Sequence, residues 1–346
     1  MQKFDVIVVG GGFCGVHVAK KLQRTGLSTL LIDSRDAFEF TPAIPKVVFN
    51  LKHRKKITVP FSSIGINNMK STVTEITPSF VVANKKKYFF KYLVICTGSS
   101  YPVLLENAKN AFAVKTVADA VVLHKRLRKA KKVVIVGGGL VGVEMAGEIV
   151  TKAKDKKVTL IETGQKILGR NSASVSMLAT DFLTNRGCKI VHGERVVKQE
   201  GKFLVTDKSK IRADVIVWCA GIKSDTKYLG KELHHIVNER KSIRVTHKLQ
   251  VEGFPRLFAG GDINSIAEEK TAQNADRQAR VIVHNILSLE KGNKLQSYVP
   301  RSGPLVISLG DWHGLFTFGR FVIPGFIPGV MKHIIEKALL FQIRYL

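Results

Sequence analysis

The sequence predicts an α/β protein made of two similar units, and three observations predict it. Two glycine clusters of the same form, Gly10–Gly15 and Gly137–Gly142, lie 127 residues apart. Each follows a short apolar run, Phe4–Val9 or Val133–Val136, and each precedes a segment with helical periodicity. Glycines in this arrangement allow a tight strand-to-helix turn whose backbone reaches a pyrophosphate at the helix N-terminus. We therefore predict two Rossmann-like units that hold one dinucleotide each.

An acidic residue follows each glycine cluster at the distance expected for a dinucleotide site. Asp33 ends one apolar run and Glu162 ends the other, each about 20 residues after its glycines. A carboxylate at this place accepts hydrogen bonds from a nucleotide ribose. Glu162 also predicts a preference for NADH, because it repels the 2′-phosphate of NADPH. Lys166 and Arg170 are near enough in sequence to accommodate that phosphate, so NADPH stays open.

Length and cysteine content limit the class of protein. A chain of 346 residues with 45% apolar residues can form two domains with their own cores. The four cysteines have no paired spacing, so we expect buried thiols and neither a disulfide framework nor a zinc site. His234 and His235 are adjacent in irregular sequence, and we predict no metal site there.

The formal net charge of +28 favours anionic surfaces such as acidic lipid or polyanionic cofactors. The lysines are spread in short runs without interleaved aromatic residues, so we expect no specific nucleic-acid binding. The first strand begins at Phe4, which leaves no signal or transit peptide before it. Leu315–Met331 is apolar but contains Arg320 and two prolines, which excludes a membrane-spanning helix. We expect a cytoplasmic protein.

The first unit is predicted element by element. Residues 1 to about 36 have a β-α-β pattern, and Phe38–Pro45 is predicted to be a loop because of its prolines. The remaining elements expected in this unit are an antiparallel meander of Ser71–Ile76, Phe80–Ala83 and Lys87–Phe90, a buried strand Tyr92–Cys96 that ends in Thr97-Gly98-Ser99, a linker at Pro102 and a helix around Asp119–Lys129.

The second unit repeats this scheme from Val133. The expected elements are a strand, a glycine turn, a helix to about Val150, a strand to Glu162, a helix over Ser174–Arg186, a strand over Lys189–His192 and a strand that ends in Ala220-Gly221. The last of these resembles the Tyr92–Gly98 segment. The duplication thus covers whole units.

The pattern changes after residue 245. Arg256–Ala259 is predicted to be a strand that ends in Gly260-Gly261-Asp262, and a helix is predicted over Thr271–Leu289. A second helix is predicted over Val330–Leu346 and is amphipathic. Its polar arc contains Lys332, His333, Glu336, Lys337 and Arg344. Its apolar arc contains Met331, Ile334, Ile335, Ala338, Leu339, Phe341 and Tyr345.

The order of these motifs resembles the two-dinucleotide flavoproteins related to glutathione reductase. Within them, the chain is most similar to type II NADH:quinone oxidoreductases and to the apoptosis-inducing-factor-like, ferroptosis-suppressor group. Phe40-Thr41-Pro42 resembles a segment of the type II enzymes and contains no cysteine, whereas disulfide reductases carry a CxxxxC pair there. Thr271–Gln278 resembles the AQxAxQ motif beside the flavin, except that Arg277 replaces the final glutamine and Gln278 comes one place later.

The resemblance implies bound FAD and a set of residues that hold it. Gly10, Gly12 and Gly15 would hold the pyrophosphate, Asp33 the adenosine ribose, and Asp262 the ribityl chain. Arg35 and the Val73 backbone would lie along the adenine, and Ala272 and Gln273 would approach the isoalloxazine. The other cofactor-binding residues implied are Phe13, Cys14, Ser34, Pro42, Thr97, Gly98 and Gly261.

The same resemblance implies that NADH binds the second glycine turn. Gly137, Gly139 and Gly142 would hold its pyrophosphate, and Glu162 its ribose. Leu140 and Gly221 complete this set. Glu144 would reach toward the nicotinamide, so Glu144 and Gln273 are the two predicted catalytic residues.

The acceptor implied by the resemblance is a quinone in a membrane. The amphipathic helix 330–346 and the positive charge would dock the protein on an anionic membrane at its inner face. Alternatively, the apolar face of the helix would pack on the protein's own FAD-binding domain or on a second copy in a homodimer. Two other functions remain open. One is a soluble NADH-dependent reductase of a small electron carrier such as ferredoxin or rubredoxin. The other is an apoptosis-inducing-factor-like flavoprotein with a signalling or nucleic-acid-binding role.

Sulfide:quinone reductase fits less well, because its chemistry requires paired cysteines near the flavin and no second intact nucleotide site. The domain limits follow from the motifs. We predict a discontinuous FAD-binding domain, residues 1–108 and 245–295, an NAD(H)-binding domain, residues 109–244, and a C-terminal docking or dimer segment, residues 296–346.

Overall fold

The computed structural model describes residues 2–105, 108–301 and 303–345, and it confirms the predicted α/β class. Up to residue 105 the strands are β1 (Gln2–Val9), β2 (Thr29–Asp33), β3 (Ala37–Glu39), β4 (Thr58–Pro60), β5 (Asn68–Lys70), β6 (Val73–Ile76), β7 (Phe80–Ala83) and β8 (Lys86–Ile95). The helices of this part are α1 (Phe13–Gln23), α2 (Ile44–Phe49) and α3 (His53–Ile57).

The middle of the chain contains a second set of elements. Its strands are β9 (Ala111–Ala113), β10 (Lys132–Val136), β11 (Lys157–Glu162), β12 (Lys189–His192), β13 (Val196–Glu200), β14 (Phe203–Thr206), β15 (Lys210–Arg212) and β16 (Val215–Trp218). Its helices are α4 (Val117–Leu127), α5 (Leu140–Lys152) and α6 (Ala173–Thr184).

The last part contains β17 (Gln250–Val251), β18 (Phe254–Ala259), β19 (Leu305–Ser308), β20 (Gly314–Phe318) and β21 (Phe321–Gly325), with the helices α7 (Ala272–Lys291) and α8 (Phe326–Tyr345). Short 3₁₀ turns cover Thr41–Ala43, Ser62–Ile64, Lys231–Ile236 and Gly261–Ile263. Of the helices that the structure describes, none combines the length and the apolar character needed to cross a bilayer.

The two large sheets have the same strand order. The first contains β17-β18-β8-β1-β2-β5, and β6 and β7 extend it from β8 as an antiparallel meander. The second is a parallel sheet with the order β12-β11-β10-β16-β9. The series β5-β2-β1-β8-β18 in one sheet therefore matches β12-β11-β10-β16-β9 in the other. The duplication extends to whole units, as the sequence predicts.

The central strands of both sheets form the core. Val6–Val9 and Val133–Val136 are buried, as expected for parallel strands covered on both faces. β17 and β18 join the first sheet although they follow the whole second sheet in sequence.

Each glycine turn brings a helix against the end of a central strand. A Cβ atom at Gly15 would overlap the carbonyl oxygen of Gly10, and one at Gly142 would overlap that of Gly137. Alanine at either position would therefore push the helix away from the strand. Gly12 and Gly139, the N-cap residues of α1 and α5, provide no side-chain cap. In contrast, the side chains of Thr116, Ser172 and Thr271 cap the N-termini of α4, α6 and α7.

The prediction of a loop over Phe38–Pro45 is wrong. β3 pairs with β4 there, and α2 begins at Ile44 with Pro45 in its first turn. Proline is compatible with this position because the first helical turn leaves its backbone N–H groups unpaired in any case. The predicted strands Lys87–Phe90 and Tyr92–Cys96 form the single strand β8. The small antiparallel sheets β13–β15 and β19–β21 were not predicted.

The C-terminal helix α8 begins at Phe326, four residues before the prediction, and Leu346 lies outside the described residues. Part of its polar arc faces the protein. The buried Glu336 accepts a hydrogen bond from the Lys46 ammonium at 3.1 Å and lies 2.8 Å from His53 Nε2. Ile334, Ile335, Phe341 and Tyr345 of its apolar arc are exposed, whereas Leu339 is half-buried.

We predict that Glu336→Gln lowers the free energy of unfolding by about 3 kcal/mol, because it leaves the buried Lys46 ammonium without its carboxylate. Burial raises the pKa of Glu336, but His53 and Lys46 lower it to about 2. The stabilisation is therefore complete above the ordinary glutamate pKa of 4.5 and is lost as the pH falls toward 2. Urea unfolding at neutral and acidic pH measures both effects. Lys337→Gln, one position along on the exposed side, is the control and should change stability little. Equal losses in the two variants would contradict the role of the buried ion pair.

Candidate functional site

A cavity of about 1240 Å³ opens at the carboxyl ends of β1, β8 and β18. It extends from Asp33 past the first glycine turn and the start of α7 to the inner side of α8. Most of the predicted site residues line it, namely Gly10, Gly12, Phe13, Cys14, Asp33, Ser34, Arg35, Pro42, Val73, Thr97, Gly98, Leu140, Glu144, Gly261, Asp262, Ala272 and Gln273. The fold thus brings together residues that are up to 263 positions apart in the chain.

The other predicted residues lie outside this cavity. Gly15 packs α1 against Gly10, which is a structural role. The remaining ones belong to the second glycine turn and its surroundings, namely Gly137, Gly139, Gly142, Glu162 and Gly221. Leu140 and Glu144, on the helix α5 that follows the second turn, do line the cavity.

The first glycine turn is fixed by Asp33, the acid that ends β2. The Gly11 N–H donates to Asp33 Oδ2 at 2.6 Å, and Asp33 Oδ1 accepts from the Arg35 N–H at 2.8 Å. A Cβ atom at Gly12 would have no neighbour within 4 Å, so the uncapped start of α1 faces open space. Free amides at a helix N-terminus, together with an elongated cavity, suit the pyrophosphate of a dinucleotide.

The second glycine turn has the same geometry. The Gly138 N–H donates to Glu162 Oε2 at 2.7 Å, and Glu162 Oε1 accepts from the Gly164 N–H at 2.7 Å. A Cβ atom at Gly139, like one at Gly12, would have no neighbour within 4 Å. The residues present fit a dinucleotide at each turn.

Several residues at the centre of the cavity were not predicted from the sequence. The Thr97 hydroxyl is hydrogen bonded to Tyr228 Oη at 2.6 Å, and the Ser99 hydroxyl donates to Asp262 Oδ2 at 2.6 Å. The Lys115 ammonium lies 3.5 Å from the same Asp262 oxygen. Lys115 and Tyr228 come from segments next to the second sheet, and no local motif marks either of them.

Cys14 is buried beside the first glycine turn. A buried thiol is what we expected of cysteines without paired spacing. A hydrogen bond with Cys96 and burial raise the pKa of its thiol well above the ordinary value. A Cβ atom at Gly260 would overlap the Cys14 sulfur. The Cys14 thiol thus remains protonated and contributes to packing.

The carboxylate of Glu144 is held by two residues from the C-terminal part of the chain. Its Oε1 accepts from the Ser308 N–H at 3.1 Å and from the Lys332 ammonium at 2.8 Å. The cavity wall around this ion pair is mostly apolar and is formed by Leu305, Val306, Phe316, Met331, Ile335, Leu339 and Ile343. We call this part of the cavity the apolar chamber. It can take a flat or chain-like apolar molecule with few polar groups.

The structure explains the altered glutamine motif at the start of α7. Gln278 is fully buried, and its Oε1 accepts from the Gly261 N–H at 2.7 Å. It therefore fixes the Gly-Gly-Asp turn and does not reach the cavity. Arg277 donates to Asn274 Oδ1 and to the Arg301 carbonyl, also outside the cavity. Gln273 is the glutamine of the motif that lines the cavity.

Comparisons with known proteins agree with this geometry. The sequence profile of the pyridine nucleotide-disulphide oxidoreductase family matches residues 4–279. Ferroptosis suppressor protein 1 of Xenopus laevis is 29% identical over 340 residues, which cover 93% of this chain and 90% of that protein. Apoptosis-inducing factor homolog B of Dictyostelium discoideum is 27% identical over 380 residues, which cover 100% of this chain and 96% of that protein.

Solved structures show the same fold. NDH2 from Plasmodium falciparum, in complex with NADH, has a TM-score of 0.87 at 16% identity and covers 99% of this chain and 96% of its own. The sulfide:quinone oxidoreductase of Aquifex aeolicus has a TM-score of 0.87 at 21% identity and covers 99% and 92%. The matched family, the two glycine turns and their acids lead to one conclusion. The chain belongs to the pyridine nucleotide-disulphide oxidoreductase family and is an FAD-binding, NAD(P)H-dependent oxidoreductase.

Proposed function

We propose that the protein is an NADH:quinone oxidoreductase that acts at a membrane surface. The observation that carries this proposal is the continuity of the cavity from the first glycine turn to the apolar chamber under α8. A quinone ring with its apolar tail matches the chemistry of that chamber. Ferroptosis suppressor protein 1, the apoptosis-inducing factor homolog and NDH2 are similar over nearly the whole chain, which supports the same assignment.

FAD, when bound, supplies the redox chemistry, because it accepts a hydride from NADH and passes two electrons to the acceptor. The chain's own residues would bind and orient it. In this proposal Asp33 binds the adenosine ribose, the amides at the start of α1 bind the pyrophosphate, and Asp262 binds the ribityl chain. Ser99 and Lys115 support Asp262 through the contacts described above.

NADH would occupy the second glycine turn. Glu162 is held by two backbone N–H groups, so its carboxylate has a fixed position at the end of β11. A fixed carboxylate binds a ribose 2′-hydroxyl and repels a 2′-phosphate. Glu144, on the helix that follows this turn, would lie between the nicotinamide and the apolar chamber.

A membrane surface suits the outer side of the C-terminal part. Large apolar side chains are exposed on β20, β21 and α8 and beside them, namely Trp312, Phe318, Phe321, Ile323, Phe326, Ile327, Ile334, Phe341 and Tyr345. We call this set the outer apolar face. It is wider than the predicted helix 330–346, since the β20–β21 hairpin contributes to it. The net charge of +28 would also attract the protein to an anionic lipid surface.

We predict that the protein uses NADH with a higher kcat/KM than NADPH, and that Glu162→Gln narrows this difference roughly tenfold, the effect of about 1.4 kcal/mol of lost repulsion. Steady-state kinetics with both nucleotides measures the ratio. Asp155→Asn is the matched control, because it removes the same charge just before the opposite end of β11. An unchanged ratio in Glu162→Gln, or an equal change in the control, would reject the role of Glu162.

We predict that Phe321→Ser combined with Ile327→Ser weakens binding to anionic vesicles at least tenfold, because two side chains exposed by 77% and 66% no longer enter the lipid. Co-sedimentation with phosphatidylcholine vesicles, with and without phosphatidylglycerol, measures the binding. Val197→Ser is the control, since Val197 is 57% exposed on the separate sheet β13–β15. If the double variant binds vesicles normally but loses a dimer on a sizing column, the outer apolar face belongs to a second copy.

A further inference from the structure

One polar pair on the cavity wall has no part in the roles assigned so far. His17 lies in the second turn of α1, and Asp276 lies in the second turn of α7. His17 Nδ1 is 2.6 Å from Asp276 Oδ1, although the two residues are 259 positions apart. Both residues line the cavity. The His17 side chain is 11% exposed and that of Asp276 is 29% exposed.

The carboxylate of Asp276 fixes the imidazole. Burial raises the pKa of Asp276, but its contacts with His17 and Arg280 lower it below the ordinary aspartate value. Asp276 is therefore ionised near neutral pH, and it accepts the proton on His17 Nδ1. Nε2 has no hydrogen-bond partner among the described residues, so this nitrogen can bind and release a proton.

The position of His17 connects the two parts of the cavity. Cys14, one turn earlier on α1, lies beside the first glycine turn. Lys20, one turn later, is buried and donates to the Ile343 carbonyl of α8 at 2.7 Å. Ile343 is part of the wall of the apolar chamber. On α1, His17 thus lies between the first glycine turn and Lys20, whose contact with Ile343 joins α1 to the wall of the apolar chamber.

The other carboxylates near the chamber are already paired. Glu144 is bound to Lys332 and the Ser308 N–H, and Glu336 is bound to Lys46 and His53. The charged and titratable residues that line the cavity with His17 from α1, α7, α8 and the Gly261–Ile263 turn are Cys14, Lys20, Lys21, Asp262, Asp276, Lys332 and Glu336. Arg280 lies outside the cavity and contacts Asp276. Of these, Asp276 is the group in direct contact with the imidazole.

We propose that His17, positioned by Asp276, donates a proton to the quinone oxygen during reduction in the apolar chamber. This inference rests on the proposed function. The overall reaction converts quinone, NADH and one proton to quinol and NAD⁺. NADH supplies two electrons and one of the two hydrogens of the quinol. The second hydrogen is the proton on His17 Nε2, which forms the new O–H bond, and water then returns a proton to the imidazole.

The test compares a proton-consuming acceptor with one that takes electrons only. Holoenzyme variants His17→Gln and Asp276→Asn are assayed with a short-chain ubiquinone and with ferricyanide, which binds no proton on reduction. His284→Gln is the matched control, because it makes the same substitution at an exposed position of α7 that lies outside the cavity. Flavin content and thermal unfolding are measured for each variant, and so is bleaching of the flavin by NADH without acceptor.

We expect His17→Gln to slow reoxidation by ubiquinone roughly 100-fold, the usual effect of losing a general acid, and Asp276→Asn to slow it roughly 10-fold. Ferricyanide reduction, flavin bleaching and flavin content should stay at the wild-type level in both variants. His284→Gln should behave as the wild type.

Three results would overturn the proposal. Equal slowing with both acceptors, or loss of flavin, would make His17 a cofactor-binding or folding residue. Unchanged ubiquinone kinetics in His17→Gln would show that the proton has another source. A wild-type protein that reduces ferricyanide but no quinone would refute the proposed function itself, and the role of His17 with it.

Discussion

Both nucleotide sites depend on one steric constraint. A helix can begin directly after a central parallel strand only if a residue in its first turn lacks a side chain, and Gly15 and Gly142 meet this requirement. The contact places the uncapped helix N-terminus at the sheet edge, where its amides face the ligand. It also brings the turn within reach of the acid from the next strand. Asp33 and Glu162 therefore bind a backbone amide of the turn and lie where the ribose of a dinucleotide is expected.

Features that depend on neighbours in sequence could be predicted. The glycine turns, their acids, β12 and the helices α4, α6 and α7 follow from spacing and capping residues, with bounds that differ by one or two residues. Features that depend on distant contacts could not. Nothing near Lys115 or Tyr228 indicates that they contact the cavity, and nothing near His17 points to Asp276. The prediction of a loop over Phe38–Pro45 was wrong because proline is tolerated at the start of a helix. The sequence alone did not show that Pro45 lies in the first turn of one.

The C-terminal helix shows what helical periodicity alone cannot predict. The periodicity of α8 separates a polar from an apolar arc, but it does not say which arc the rest of the protein covers. Glu336 can be buried because Lys46, on α2, supplies the opposite charge and His53, on α3, contacts the other carboxylate oxygen. These partners lie about 290 positions away, so the burial of a charged arc could not be foreseen. The outward apolar residues remain available to a second surface, lipid or protein.

The ion pairs of α8 have an evolutionary consequence. Lys332 pairs with Glu144 next to the second glycine turn, whereas Glu336, one turn later, pairs with Lys46 on α2 in the first part of the chain. The 20-residue helix α8 thus contacts both parts of the duplication. Exchanging either part for that of a relative would therefore break an ion pair unless position 332 or 336 changes with it. We expect substitutions at 144 and 332, and at 46 and 336, to occur together among homologues. The duplicated halves are no longer independent modules.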